Sequence, residues 1–487
     1  MLNIRNVRFY FLVLFFLVAN GLRLGLSSNQ ENYFALAKAA WDPSWMKGSF
    51  LFSEHEGTRI LFNRIVGPLT EVMSFEVISI TLTIFSFALM AFPLMKIWQT
   101  LHDDMTFTGP WLQIIALGSM GGGAFYGGEW FVGNFEPKVM AYICFWWALW
   151  ALFIGKTGWV IALSIFATYW HVLVGGQTFI FLWTLHLWQQ RKWKSSFVVG
   201  AAYSVCVLPF LWHLLSETSV KDQVSPSIDW IYTYFRNPHH TAPFASLNFF
   251  LHKYLKGVIT SVAASIYLFW TLKTERTSKN VKFFVEAALL ANILVFVGLA
   301  ISFFDHEGVI LKFYVFRLSA ISKFLTCMTL GYHAHKLIKY YAANRSSYSL
   351  IMACSLFICV CIGSYRFVKH SETLDIRNFA KAVNQYVPSV AQILNLSENG
   401  SSVDGKWDAL PRLSERDWYV SYKFVPAGGV KVREWYERVQ RVKKLSLSPS
   451  EISVDEFPYI LARRGTVLSN HRPLFEDHGF ILFGPAI

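Results

Sequence analysis

The chain has 487 residues, 54% of them hydrophobic, 17% aromatic and only 15% charged, with a formal net charge of +13. A soluble domain carries roughly a quarter charged residues, so an ordinary soluble protein is excluded. The basic residues sit in short loops between apolar runs, so the charge reads as membrane topology first, as affinity for anionic lipid second, and not as nucleic-acid binding.

The six cysteines, Cys144, Cys206, Cys327, Cys354, Cys359 and Cys361, all fall inside apolar runs. That argues against a disulfide framework and against a cysteine-type zinc site.

In chain order, Arg5 and Arg8 precede an apolar run from Phe9 and place the N-terminus in the cytoplasm. No small-x-small cleavage site follows, so a retained first span over roughly 9–26 is expected. The segment of about 27–71 is then external, with Glu31, Asp42, Glu54, Glu56 and Glu71 among interleaved aromatics. It predicts short amphipathic helices at the interface, broken at Trp41-Asp42-Pro43-Ser44-Trp45.

Further spans are expected at about 72–95, 110–126, 139–154, 197–215, 257–272, 283–304, 309–332 and 348–364. Residues 158–188 are too long for one straight span and too short for two, with His171 and Gly175-Gly176 at the middle. They predict two short segments meeting outward, or a broken pair, with a cavity near His171, because irregular backbone at membrane depth needs protein or a cavity around it. The whole is an α-helical polytopic membrane protein of about 10–12 spans, some short or broken. From about residue 366 to 487 charged residues become frequent and strand-like pieces alternate with helical ones, notably 418–422, 459–462 and 480–483. That predicts a small C-terminal α/β domain, placed outside by the topology, after a membrane domain of 1–365. Asn395-Leu396-Ser397 matches a glycosylation sequon, a motif common by chance.

Four features point to chemistry. Glu31, Glu129 and Glu136 each flank a span on the outward face, and a partly desolvated carboxylate there suits a general base. The plainer reading of each is an interfacial helix residue. Glu136-Pro137-Lys138 opens a span, where Pro suits the first turn, Glu favours the helix dipole, and Lys138 offers a point charge to phosphate. Arg236-Asn237-Pro238-His239-His240 puts a guanidinium and two imidazoles on a proline-restricted backbone, which suits an anion. Zinc is the weaker alternative there, with no third ligand at metal spacing. Lys312 and Arg317 fall inside an apolar run, where a charge costs about 2.5–3.5 kcal/mol and so faces a cavity or partner, as does His171; for Lys312 snorkelling is the plainer reading. Carboxylates facing Arg, His and Lys suit transfer of a group from a phosphate to a hydroxyl. Outside the cytoplasm the phosphate donor is expected to be a lipid phosphate. No cofactor is expected, and the residues do not indicate a divalent cation.

An inside N-terminus, one span, a long external loop with an early acidic residue, short or broken spans and a C-terminal external domain resemble the GT-C superfamily of membrane glycosyltransferases. Asn29 to Tyr33 with Asp42-Pro43-Ser44 is similar to the opening of several uncharacterised bacterial membrane families near that superfamily. Phe135-Glu136-Pro137-Lys138 with Ala141-Tyr142, and Arg236-Asn237-Pro238-His239-His240, look like motifs of one such family. The resemblance covers most of the chain as architecture more than as sequence. It implies a polyprenyl-phosphate-linked sugar donor, inversion at the anomeric carbon, and an acidic base on the first external loop. Carried over by residue, that base is Glu31, where the superfamily more often has Asp; Asp42 is its rival. Arg236, His239, His240 and Lys138 would bind the lipid phosphate, Arg317 would act from deeper, and Glu136 or Glu129 would orient the acceptor. The expected partners are a polyprenyl-phosphate sugar, a glycan, lipid or protein acceptor, and membrane lipids, in a bacterial inner membrane. A polysaccharide polymerase or ligase using a diphosphate-linked donor, and a non-enzymatic glycolipid transporter, are the alternatives.

Overall fold

A computed structural model describes residues 4–52, 58–101, 123–130, 132–191, 193–218, 224–274, 278–341, 357, 361, 374–398, 407–426, 429–477 and 479–486. The spans expected near 110–126 and 348–364 lie largely outside these residues. The long helices are α1 (Ile4–Gly21), α2 (Ser28–Trp41), α3 (Ile60–Val72), α4 (Phe75–Leu101), α5 (Pro137–Phe153), α6 (Thr157–Trp170), α7 (Val172–Gln190), α8 (Trp193–Thr218), α9 (Leu255–Thr274), α10 (Lys279–Phe304), α11 (Leu318–Tyr341), α12 (Leu374–Tyr386) and α13 (Gly429–Leu447). Among the described residues four helical stretches are long and apolar enough to cross a membrane: Phe75–Leu101, Trp193–Ser216, Leu247–Thr274 and Lys279–Phe304; Pro137–Phe153 and Thr157–Trp170 are apolar but shorter. The chain is thus a helical membrane-type protein with a small C-terminal sheet domain, as the sequence predicts.

It divides into two compact units: Met1–Leu22, Thr81–Trp212 and Val224–Phe367 form one, and Arg23–Ile80, His213–Gln223 and Val368–Ile487 the other. In the first, membrane-type unit, α6 and α7 meet at His171, as its position between two short apolar runs implies. His171 is extended (φ −155°) and its Nδ1 accepts from the Val174 amide at 3.4 Å, capping α7. Gly175 is required there, since a Cβ would stand 2.3 Å from the Thr168 backbone nitrogen. Small residues let helix backbones approach where lipid offers no hydrophobic drive. The α6–α7 pair also packs on α8, with Thr168 Oγ1 and Tyr203 Oη 2.7 Å apart and Phe179 stacked on Tyr203. Trp146 of α5, fully buried, meets Phe324 of α11 at 4.6 Å between ring centres. Its truncation to Ala would cost about 3–5 kcal/mol.

The expected span of 309–332 is shorter at its start and longer at its end. Residues 305–317 form turns with a short 3-10 helix at Leu311–Phe313, and α11 begins only at Leu318 and runs to Tyr341. Asp305 causes this: its carboxylate accepts the amides of Val309, Ile310 and Leu311 at 2.7–2.9 Å, which offers the backbone an alternative to helix. Lys312 therefore sits in that short 3-10 turn and not within a long helix. Its ammonium donates to both oxygens of Asp229, at 2.8 and 2.7 Å.

In the second unit, Ser27 and Gln30 form a capping box that starts α2. Gly67 of α3 lies against the Ala37 carbonyl and Trp41, where a Cβ would be 2.7 Å from each. Phe34 stacks on Phe62 and meets Phe75 edge-on. The expected break after Trp41 is an Asx turn, in which Asp42 Oδ1 accepts from the Ser44 amide (2.9 Å) and hydroxyl (2.5 Å). Those bonds hold the exposed Asp42 carboxyl below the usual range.

The C-terminal sheet has strands β1 (Gln392–Asn395), β2 (Asp417–Trp418), β3 (Tyr459–Arg463), β4 (His471–Asp477) and β5 (Phe480–Pro485) in the order β2-β1-β3-β5-β4. β1 is parallel to β2 and β3, while β5 is antiparallel to β3 and β4. α12 packs on it through Phe379, edge-on to Phe475 and Trp407. Trp435 of α13 is fully buried, with its indole N–H donated to the Ser421 carbonyl at 2.8 Å. Asn395 of the sequon is the buried last residue of β1, and its Oδ1 accepts the amide and hydroxyl of Ser397 at the strand's end.

Candidate functional site

The first unit gathers the expected motifs around one buried carboxylate. Gly127 and Gly128 have φ of +80° and +62°, a conformation that L side chains rarely adopt. They turn the chain so that the Ala124 amide reaches the Glu129 carbonyl at 2.8 Å, and Glu129 is 3% exposed. Its Oε1 accepts two cations: Arg317 Nη1 at 3.2 Å and Lys138 Nζ at 3.4 Å. Burial pushes the Glu129 carboxyl up, but Arg317 and then Lys138 outweigh it and hold it below the usual carboxylate range.

Lys138 stands in the first turn of α5, behind Glu136 and Pro137, as the motif predicts. Its ammonium is also 3.9 Å from Glu136 Oε2 and lies 3.8 Å from the centre of the Trp130 ring. Glu136 is 1% exposed.

The Arg236-to-His240 motif arrives on unusual backbone. Residues Ile231–Arg236 coil as a wide π-type turn, and Pro238 opens a single helical turn over Pro238–Thr241. Such turns re-aim side chains and recur at functional sites. Thr241 Oγ1 donates to the Thr233 and Asn237 carbonyls, and Tyr254 Oη donates to those of Pro238 and His239, which fixes the motif. His240 Nδ1 lies 2.6 Å from the Gly127 carbonyl. His239 is exposed, its ring centre 4.1 Å from that of His240.

Arg317 precedes α11 and lies over the Tyr314 ring at 4.6 Å. Tyr314 takes a left-handed conformation (φ +57°), and its hydroxyl, 3.3 Å from that of Tyr232, feels both Arg317 and Arg236. Gln177 of α7 donates to the carbonyls of Phe313 and of Tyr314, the latter at 3.1 Å, and so secures this strained turn. Glu129, Glu136, Lys138, Arg317 and His240 are thus one constellation, with Arg236 and His239 joined to it through Tyr314 and His240. His171 caps the start of α7, the helix that carries Gln177. Sequence reasoning missed Tyr314 and Gln177, since neither carries charge or motif.

The second unit holds Glu31 in a constellation of its own. Glu31, 4% exposed in the first turn of α2, accepts Arg412 Nε at 2.6 Å on one oxygen and Nη2 at 3.0 Å on the other. Arg412 Nη2 also donates to Glu76 at 3.2 Å, its guanidinium lies over Phe75, and Arg377 reaches Glu76 at 3.7 Å. Burial raises the Glu31 carboxyl above the usual range, with Arg412 opposing it. Arg412 gave no signal in sequence, because it stands in an ordinary stretch 381 residues away.

Among the described residues, no group of three or more His, Cys, Asp or Glu side chains is arranged to hold a metal ion. No family model matches the chain, and no curated protein matches it. Among solved structures, the chain is similar to ArnT from Cupriavidus metallidurans bound to undecaprenyl phosphate, at 10% identity and a TM-score of 0.49, over 98% of this chain and 97% of that one. It is likewise similar to the same protein in the apo state, at 11% identity and a TM-score of 0.42, over 98% and 96% of the two chains.

Proposed function

We propose that this protein is a membrane glycosyltransferase of GT-C type that moves a sugar from a polyprenyl-phosphate donor to an acceptor, on the outer face of a bacterial inner membrane, in assembly of envelope glycan. The observation that supports this most is the Glu129 constellation. Arg236, Lys138 and Arg317 are three cations among two carboxylates, all nearly buried in a unit of membrane-type helices. Guanidinium and ammonium groups brought together suit an anion such as phosphate, which Arg binds through two parallel hydrogen bonds. A lipid phosphate supplies that anion and enters from the bilayer.

In the proposed reaction the bond from the anomeric carbon to phosphate oxygen breaks, and its electron pair stays on the phosphate. The acceptor oxygen bonds to the anomeric carbon from the opposite face. The departing phosphate gains negative charge, which Lys138, Arg317 and Arg236 stabilise without reorganising. Glu129 keeps Lys138 and Arg317 in place. Glu31 is the proposed proton acceptor, supported by its burial and raised carboxyl in its own unit. Asp42 is the rival base; its carboxyl is exposed, and the bonds of its Asx turn hold it below the usual range.

The test is binding of undecaprenyl phosphate to the full chain in lipid nanodiscs. Arg236→Ala and Lys138→Gln should each weaken it about tenfold or more, the value of one or two charge-assisted hydrogen bonds. Unchanged affinity in both folded variants would remove the phosphate role.

A further inference from the structure

We propose that His240 is a hydrogen-bond acceptor for a substrate hydroxyl, presenting its Nε2 lone pair, and does not hold the phosphate. This rests on reading the Glu129 constellation as a polyprenyl-phosphate sugar site. It reverses the role that the Arg-Asn-Pro-His-His motif suggests, in which both imidazoles face the anion.

His240 Nδ1 lies 2.6 Å from the Gly127 carbonyl oxygen. A carbonyl oxygen has no proton to donate, so the proton of this bond sits on Nδ1. In the neutral ring Nε2 is then unprotonated and accepts. The tautomer is set by the Gly127-Gly128 turn. Gly128 lies so close that a Cβ there would meet His240 Cε1 at 3.1 Å and Nδ1 at 3.3 Å, so the ring packs flat against a backbone only glycine allows.

Protonating Nε2 would require a further cation among those present. Arg317 and Lys138 already share Glu129 Oε1, and Glu136 lies nearest Lys138. Arg236 and Arg317 flank Tyr314, whose ring centre is 5.6 Å from that of His240. His239, the neighbouring imidazole, adds no negative charge. Glu129 and the Gly127 carbonyl favour the charged ring and are outweighed: burial first, with Lys138 and Arg317, brings His240 down to about 4. A neutral imidazole with an open lone pair repels a phosphate oxygen and attracts an O–H. Beside cations that hold phosphate, the O–H belongs either to the donor's sugar or to the acceptor.

Two measurements test this. The first needs no substrate: nitrogen NMR of histidine-labelled wild-type protein at about pH 6 should show His240 with a protonated Nδ1 and a bare Nε2, where a free imidazole is largely charged. A doubly protonated ring would overturn the proposal. The second uses His240→Asn, whose side-chain amide can still donate to the Gly127 carbonyl but offers nothing at the Nε2 position. The probes are undecaprenyl phosphate and an undecaprenyl-phosphate hexose. The variant should bind the plain phosphate as wild type does. If the hydroxyl is the donor's, the hexose probe binds about tenfold more weakly; if it is the acceptor's, both bind normally and transfer falls about tenfold. Loss of plain phosphate binding in His240→Asn, or no change in any of these, overturns the proposal. Failure of the parent reading is distinct: Arg236→Ala and Lys138→Gln would then bind undecaprenyl phosphate normally.

Discussion

Replacing Arg412 with Ala should unsettle the second unit more than any surface charge could. Arg412 makes two bonds to Glu31, at 2.6 and 3.0 Å, and a third to Glu76 at 3.2 Å. Glu31 is 4% exposed, so no water replaces the guanidinium. Removing one partner of such a buried pair costs about 3–5 kcal/mol, most of it the stranded charge. The magnitude therefore depends on Glu31 being ionised. Arg412→Ala with Glu31→Gln should recover most of the loss, because the neutral amide needs no counter-charge. The assay is equilibrium unfolding of the detergent-solubilised chain, read as a double-mutant cycle. The pH dependence has a definite sign. Burial already raises Glu31, so its protonated form favours the folded state, and its contribution is lost as pH rises through the raised value. Without Arg412 that value rises further, and the variant should regain stability on acidification. A cost below about 1 kcal/mol, typical of exposed pairs, together with no recovery in the double variant, would refute the reasoning.

Three further expectations follow from the first unit. Glu129→Gln leaves Lys138 and Arg317 without their shared carboxylate and should destabilise by about 3–5 kcal/mol in the same unfolding assay. Glu129 is held below the usual range, so its stabilisation is present at neutral pH and lost as pH falls through that depressed value; the Gln variant should lack this acid limb. Gly128→Ala forces a Cβ into φ +62° against the His240 ring and should cost about 1–2 kcal/mol, read as a lowered unfolding midpoint. Gln177→Leu should free the turn at Phe313 and Tyr314, and weaken undecaprenyl phosphate binding without changing any charge.

What was legible in sequence was local. The break at His171 could be read because two apolar runs were each too short for a full span. The break after α2 was visible in Asp42-Pro43-Ser44, whereas the capping box of Ser27 and Gln30 that starts it was not read. The C-terminal strands at 459–463 and 480–485 showed as apolar runs, whereas β4, an edge strand carrying Arg472, Pro473, Glu476 and Asp477, did not. Lys138, His240 and Arg317 were each singled out by residue type. Glu129 was singled out as well, but its pairing was not, because only the fold decides that it accepts a lysine 9 residues away and an arginine 188 away. Arg412 was beyond reach for the same reason. The helix start at Leu318 was misplaced because Asp305 takes three backbone amides, a competition that hydropathy cannot register.

We propose that this chain transfers a sugar from a lipid phosphate and that Arg236 and Glu31 are needed for it. The most direct measurement is the rate of transfer of a labelled sugar from an undecaprenyl-phosphate donor by the full chain in lipid vesicles. Wild type should transfer, and Glu31→Gln should lose about 10²–10⁴ in rate, the range for removing a general base. Arg236→Ala should lose about tenfold or more, both variants remaining folded. Full activity in both would contradict the account.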